Sequence, residues 1–397
     1  MAAADRSYLA VLVAIALPFV ALGTWLTLAR LRSAGWSPWL VLLFFVPLLN
    51  LAFFAALCVA PPRAARSAGA GATAAAWRHW LPGSTLGAAL VATIAVALGA
   101  VAFVALSTRV FVDYGWGVFI ALPFAQGMLA VWLAGTARGR APSPAGAIGL
   151  ALASVALAGA LLLAFAFEGL ICIAMALPLA LPLAVAGGLV GRAMLTLPMH
   201  RAALLVAGVA ALPIAALGAA PSPARDAPRY AVVTRVVVDA PPERVWPHVI
   251  AFSPLPPPDD PVFLAGVSYP QRAHIDGWGV GATRYCEFST GAFVEPITAW
   301  DAPRRLAFDV TRNPPAMREL SPWGAIDTPH LTNFLVADAG EFRLNALGGG
   351  RTELVGTTWY RHHVFPAAYW RLWSDALIHR IHLRVLDHIA RLSVAGP

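Results

Sequence analysis

The sequence predicts an all-α transmembrane bundle of about seven helices, followed by an α+β domain with an antiparallel sheet and a long C-terminal helix. Three observations predict it. Apolar stretches of about 20 residues, long enough to cross a bilayer, recur through the first half of the chain. The composition shifts at a Pro-rich segment beginning at Pro221. Beyond it, strand-like runs and one helical run of period 3.6 follow in an order that suits a single compact domain.

The balance of residue types supports the membrane assignment. Of 397 residues, 59% are hydrophobic and only 12% are charged, against about 25% charged in an ordinary soluble protein. The net charge is +8, yet every basic residue is Arg and none is Lys. The arginines are scattered through short loops rather than gathered into a patch. They set membrane orientation, and nucleic acid is not an expected partner. The Arg-, Ala-, Gly- and Pro-rich composition matches coding bias in a GC-rich genome. Three cysteines, Cys58, Cys172 and Cys286, show no metal-ligand spacing, and the only one beyond Pro221 has no partner there for a disulfide.

Seven spans are expected, at 8–28, 39–59, 84–106, 117–135, 145–167, 170–190 and 202–219. The first is too long for a signal peptide and lacks a small-residue cleavage site. Pro18, Pro47, Pro123, Pro178, Pro182 and Pro213 fall inside spans, where neighbouring helices can satisfy the freed carbonyls. Gly187, Gly188 and Gly191 allow close helix approach. With the N-terminus inside, the cytoplasmic loops hold Arg6, Arg63, Arg66, Arg78, Arg138, Arg140, Arg192 and Arg201. The outer loops hold Arg30, Arg32 and Arg109. Seven spans then put the C-terminal domain on the extracytoplasmic side of a cell (inner) membrane. The domain plan is a polytopic region at 1–220, a Pro-rich linker at 221–229 and a compact domain at 230–397.

Within that domain, 230–238 is rich in β-branched residues and reads as a strand. Asp239 supplies a capping-type residue and Pro241-Pro242-Glu243 a helix start, with the helix running towards Phe252. Further strands are expected at 271–275, 282–288, 292–300, 305–311, 331–336, 340–346 and 352–360, with Gly348-Gly349-Gly350 as a hairpin turn. A helix closes the chain over about 366–392, with Trp370, Trp373, Leu377, Ile381, Val385 and Ile389 on one face.

The run from Val236 to Trp246, with its Ala240-Pro241-Pro242-Glu243-Arg244-Val245-Trp246 core, resembles the opening of the START-like (SRPBCC) superfamily. That superfamily includes polyketide cyclases, plant allergen-like carriers and lipid-transfer domains. Gly279-Val280-Gly281-Ala282-Thr283-Arg284 is similar to its turn into a strand. Trp300-Asp301-Ala302-Pro303-Arg304-Arg305-Leu306 is similar to its Asp-x-Pro-Arg turn. The resemblance covers 230–393 and implies a helix-grip fold with a cavity between a curved sheet and the last helix. It does not imply one activity. A Pro-rich insertion at about 313–330 departs from short members of the family. Arg30 to Trp39 also resembles a small bacterial membrane family of unknown function, which implies no chemistry.

The implied cavity makes Arg284, Glu287, Glu295, Trp359, Tyr360 and Trp373 candidate liners, set against ordinary surface or packing roles. On the strand around Cys286, alternation puts Arg284 and Cys286 on one face and Thr283, Tyr285 and Glu287 on the other. Glu168, between spans five and six, is an ionisable group at membrane depth. It either forms a small polar pocket with Cys172 and Met175 or sits in a tight interfacial turn. Asp375, His379 and His382 share one helix face at metal-compatible spacing, with His362 and His363 upstream, but a plain polar helix flank explains them as well. No metal or cofactor is expected. Gly277-Trp278-Gly279-Val280-Gly281 lacks dinucleotide spacing and reads as a turn.

Three readings remain open from the sequence. The domain holds a lipid or other hydrophobic small molecule beside the bilayer. It is a cyclase- or hydrolase-like enzyme using the same cavity. Or it is a structural or sensory membrane protein that binds a protein partner.

Overall fold

The computed structural model describes residues 23–45, 53, 57, 84–217, 228–326, 328–331 and 334–395. The chain divides into two compact units, 1–81 and 82–397. In the first, residues 23–34 are helical and Pro38–Phe45 forms a 3-10 helix. Leu31, Phe53 and Leu57 pack together there. Most of the expected span 8–28, and the larger part of 39–59, lies outside the described residues.

The second unit opens with five helices. They are α1 (Thr85–Arg109), α2 (Leu122–Arg138), α3 (Pro144–Ala164), α4 (Leu170–Met194) and α5 (Met199–Ala215). Ser84 caps α1 by accepting from the Gly87 N–H, and Ser143 caps α3 by accepting from Gly146. A π-helical turn at Gly117–Ala121 leads into α2. Among the described residues four helices are long and apolar enough to cross a membrane; the first two of the seven expected spans lie largely outside those residues. The four helices match the spans at 84–106, 117–135, 145–167 and 170–190. The helix in the expected span 202–219 is shorter, at 17 residues. That is about 26 Å of helix against a hydrocarbon core of about 30 Å.

Pro123 lies inside the span Gly117–Arg138, just after the π-helical turn. It sits in the first turn of α2. Pro178, Pro182 and Pro213 also lie inside helices. The glycines of α4 meet α2 backbone to backbone. A Cβ at Gly187 would come within 2.0 Å of the Phe124 carbonyl oxygen, and one at Gly191 within 2.4 Å of that of Met128. From the other side, a Cβ at Gly127 would come within 2.0 Å of the Ala184 oxygen. Gln126 donates across to the Ser154 carbonyl at 2.7 Å, one more interhelical tie.

The expected linker falls almost wholly outside the described residues. After it come β1 (Tyr230–Val238), α6 (Pro242–Ile250), α7 (Pro261–Leu264), β2 (Pro270–Asp276), β3 (Thr283–Phe288), β4 (Gly291–Asp301) and β5 (Arg305–Asp309). A small hairpin of β6 (Glu319–Ser321) and β7 (Gly324–Ile326) precedes β8 (Leu335–Leu347), β9 (Arg351–His362) and the 29-residue α8 (Ala367–Ala395). The seven long strands form one antiparallel sheet in the order β1-β9-β8-β5-β4-β3-β2. Packing α8 across this sheet fits a helix-grip arrangement. Val385, Leu386 and Ile389 of α8 join Leu306, Leu344 and Leu354 of the sheet in one core.

Two local expectations are corrected. The helix after β1 is capped by Pro241 without a side-chain bond, so Asp239 is not its cap. The strands expected at 331–336 and 340–346 are one strand, β8, with a bulge between Ala337 and Ala339. Gly340 makes no turn. Its missing Cβ leaves room for the Phe308 ring, which would otherwise stand 2.6 Å away.

The α2–α4 crossing yields a direct test. Gly187→Val should cost at least about 1–3 kcal/mol through overpacking, read as a lower thermal midpoint or loss of folded protein in detergent. Gly149→Val, where a Cβ meets nothing within 4 Å, should leave the midpoint nearly unchanged.

Candidate functional site

Strand alternation turns Arg284 and Cys286 of β3 towards α8, and antiparallel register sets Glu295 of β4 opposite Arg284. With Phe308, Phe342 and Thr358 from neighbouring strands, they line a cavity of about 160 Å³ beneath Ile378, Ile381 and Val385 of α8. The segment 313–317, from the Pro-rich insertion, lines it too. The insertion therefore forms part of the pocket wall.

Arg284 is 1% exposed and ion-pairs through Nη1 with Glu295. Its Nε donates to the Ile250 carbonyl at 3.1 Å. The Phe252, Phe308 and Phe342 rings each lie 5.6 Å from its Cζ. Arginine suits this setting because its planar cation tolerates both aromatic faces and a carboxylate. Nη2 makes no hydrogen bond. Burial pushes the Glu295 carboxyl up, and the guanidinium opposes it.

Tyr360 also lines the cavity, its hydroxyl donating to Asp375 Oδ1 at 2.5 Å. Burial first, then Asp375, pushes this phenol up. The other three candidate liners do not reach the cavity. Glu287 lies on the opposite face of β3, held by both nitrogens of an Arg272 fork at 2.7 and 2.9 Å. The Arg229 guanidinium stands over the Trp359 ring at 5.4 Å. Trp373 is half-buried and lines no part of the cavity.

Asp375, His379 and His382 do not converge on one point. Asp375 is taken by Tyr360 and, at 3.0 Å, by Arg371. His379 and His382 both hydrogen-bond with the Thr234 hydroxyl, at 2.7 and 3.0 Å, and His382 Nε2 with that of Thr358 at 2.8 Å. His382 lines the cavity. Its pKa is lowered to about 4, by burial first and then by His379, so it is neutral near pH 7.

Glu168 lies two residues before α4, 7% exposed. Its Oε1 accepts from the Tyr114 hydroxyl at 2.9 Å, and its Oε2 stands 3.5 Å from His330 Nδ1. His330 comes from a 3-10 turn, Pro329–Leu331, in the insertion. Its Nε2 lies 2.9 Å from Cys172 Sγ and 3.5 Å from Glu319 Oε1. Burial pushes the Glu168 carboxyl up, and His330 and Tyr114 pull it back. Burial also raises the Tyr114 phenol, with Glu168 adding to it. Glu168, Cys172, Tyr114 and His330 border a second cavity of about 160 Å³ that runs between the helices. Met175 is not part of it; its carbonyl accepts from the Tyr369 hydroxyl at 2.5 Å. Sequence reasoning found Glu168 and Cys172 but missed Tyr114, Glu319 and His330. Glu319 and His330 were visible as ionisable residues within a Pro-rich insertion that a surface loop does not need.

No family model matches the chain, and no curated protein matches it. Among solved structures, its C-terminal part is similar to norcoclaurine synthase from Thalictrum flavum. The identity is 12%, covering 43% of this chain and 98% of that one, with a TM-score of 0.29. It is similar to the Zhui aromatase/cyclase from Streptomyces sp. R1128 at 16% identity, covering 43% and 99%, with a TM-score of 0.28. It is similar to Ara h 8.0201 at 10% identity, covering 43% and 100%, with a TM-score of 0.27.

The Arg284–Glu295 pair sets a stability test. Arg284→Met strands a buried carboxylate and should cost about 3–5 kcal/mol in denaturant unfolding, whereas the double variant R284M/E295L should recover most of that loss. Equal stability of wild type and R284M would show that the pair is not buried as described.

Proposed function

We propose that the sheet-and-helix domain holds a small, largely apolar molecule at the surface of the membrane that the helices span. The carrying observation is the cavity of about 160 Å³ between sheet, insertion and α8. An apolar cavity of about 150 Å³ accepts benzene. One ring or a short hydrocarbon segment fits within the cavity under α8. Apolar pockets with few polar anchors are the usual design of small-molecule sites. Attachment to the helices keeps the cavity near a bilayer in which such molecules concentrate, raising their effective concentration.

Mass spectrometry of organic extracts from the purified full chain tests this. Up to one apolar molecule per chain is expected from wild type. Ala337→Phe, which fills the cavity wall, should retain at least about tenfold less, one tenfold being about 1.4 kcal/mol. Wild type that purifies empty, or A337F that retains as much as wild type, contradicts the proposal.

We further propose that this domain faces the extracytoplasmic side. The domain meets the helices at the α1–α2 and α3–α4 connections. The Phe365 N–H donates to the Tyr114 carbonyl at 2.9 Å, and Trp323 Nε1 to that of Ala164 at 2.6 Å. The opposite ends carry Arg138, Arg140, Arg192 and Arg201, and the arginine-rich loops are the cytoplasmic ones. This support does not depend on counting spans before residue 84. Alkaline phosphatase needs disulfides, which form outside the cytoplasm. Fused after Pro397 in a bacterial host, it should be active, and a green fluorescent protein fusion dark. The reverse pattern refutes the orientation.

A further inference from the structure

We propose that Cys172, His330 Nε2 and Glu319 form a zinc(II) site, with Glu168 orienting the His330 ring from Nδ1, that clamps the insertion of the sheet-and-helix domain onto the start of α4. One donor atom from each of Glu168, Cys172 and His330 lies within 4.8 Å of the others. Glu319 Oε1 lies 3.5 Å from His330 Nε2, the nitrogen that also approaches Cys172, whereas Glu168 faces Nδ1.

The second, independent observation is Glu319 itself. Its side chain is wholly inaccessible, and neither carboxylate oxygen accepts a hydrogen bond. A buried carboxylate in that state is expensive unless a cation meets it. His330 as imidazolium does not answer the need. Charge-assisted N–H···O bonds run about 2.7–2.9 Å, and His330 stands 3.5 Å from both Glu168 and Glu319. Donors on a tetrahedral zinc, at bonds of about 2.0–2.3 Å, lie about 3.5 Å apart. Glu319 thus stands beside Nε2 at the spacing of a fellow ligand, while Glu168 faces Nδ1, the nitrogen that a metal on Nε2 leaves free to be oriented. The Cys172–His330 contact at 2.9 Å needs only a small opening to match that spacing.

The donor types select the metal. One thiolate, one imidazole and one carboxylate, with a fourth tetrahedral position left for water, suit zinc(II) better than the all-oxygen preference of magnesium or calcium. The surroundings prepare the ligands. Tyr114 donates to the Glu168 oxygen that faces away from His330, at 2.9 Å, and orients that carboxylate. Gly169 has no side chain because Glu319 occupies the space; a Cβ there would come within 1.7 Å of Glu319 Oε2. The site joins residues about 150 positions apart in sequence (Cys172 and His330 differ by 158). A metal there ties the domain to the helices independently of whether the α8 cavity holds a ligand.

The experiment uses the purified full chain in detergent, stripped with chelator and titrated with zinc(II), and in parallel with cobalt(II) as the absorbing probe. One metal per chain is expected, with a thiolate-to-cobalt charge-transfer band that Cys172→Ser abolishes. His330→Ala should weaken zinc binding by about 100-fold or more. Glu319→Gln keeps the side-chain volume and should weaken it by at least about tenfold with an unchanged circular dichroism spectrum. Zinc should also raise the thermal midpoint of wild type, which tests the proposal without any variant. No stoichiometric binding, or binding that survives C172S and E319Q unchanged, overturns it.

Discussion

The Glu319 carboxylate lies against the backbone of Gly169, so close that any side chain there would collide with it. Only a residue without Cβ at 169 lets the insertion approach the entrance of α4. From that seat His330 reaches Cys172 and Glu168, and Tyr114 reaches Glu168 from the α1–α2 connection. The same insertion, a few residues earlier, lines the cavity under α8 through Pro314, Pro315 and Met317. Movement of the insertion would therefore alter the pocket wall and the junction with the helices together.

Burial of charge is handled in two different ways. Arg284 and Glu295 neutralise one another, and three aromatic rings surround the guanidinium. A wall built this way leaves the lining mostly apolar. Glu168 and Glu319, by contrast, bring two carboxylates to one imidazole without a close hydrogen bond between them and it. The first arrangement is complete as a protein structure. The second calls for a cation, since a partly satisfied polar cluster in a low-dielectric site costs more than an apolar one.

Much of the fold was legible in the sequence. The β-branched run of β1, the glycines at 348–350 and the helical spacing of Ile381, Val385 and Ile389 each specify a local geometry that packing then keeps. The division of 331–346 into two strands failed because a bulge between Ala337 and Ala339 lets one strand run through, with Gly340 admitting the Phe308 ring from another strand. The site was legible only in part. Alternation correctly separated Arg284 from Glu287, but nothing local says which face of β3 meets α8. His330 and Cys172, 158 positions apart, are joined only by the tertiary fold. The triad at Asp375, His379 and His382 shares a helix face, and spacing alone could not show that Tyr360, Arg371 and Thr234 already occupy those groups. The proposed side of the membrane draws its support from which helix ends the domain touches rather than from the number of spans.

An experimental density map of the full chain, purified from its host membranes without added ligand, tests the central claim most directly. Density of single-ring or short-chain size is expected in the space beneath Ile381. A space closed by inward rotation of Phe308, Phe342 and Ile381, with no room for a ring, would contradict that claim.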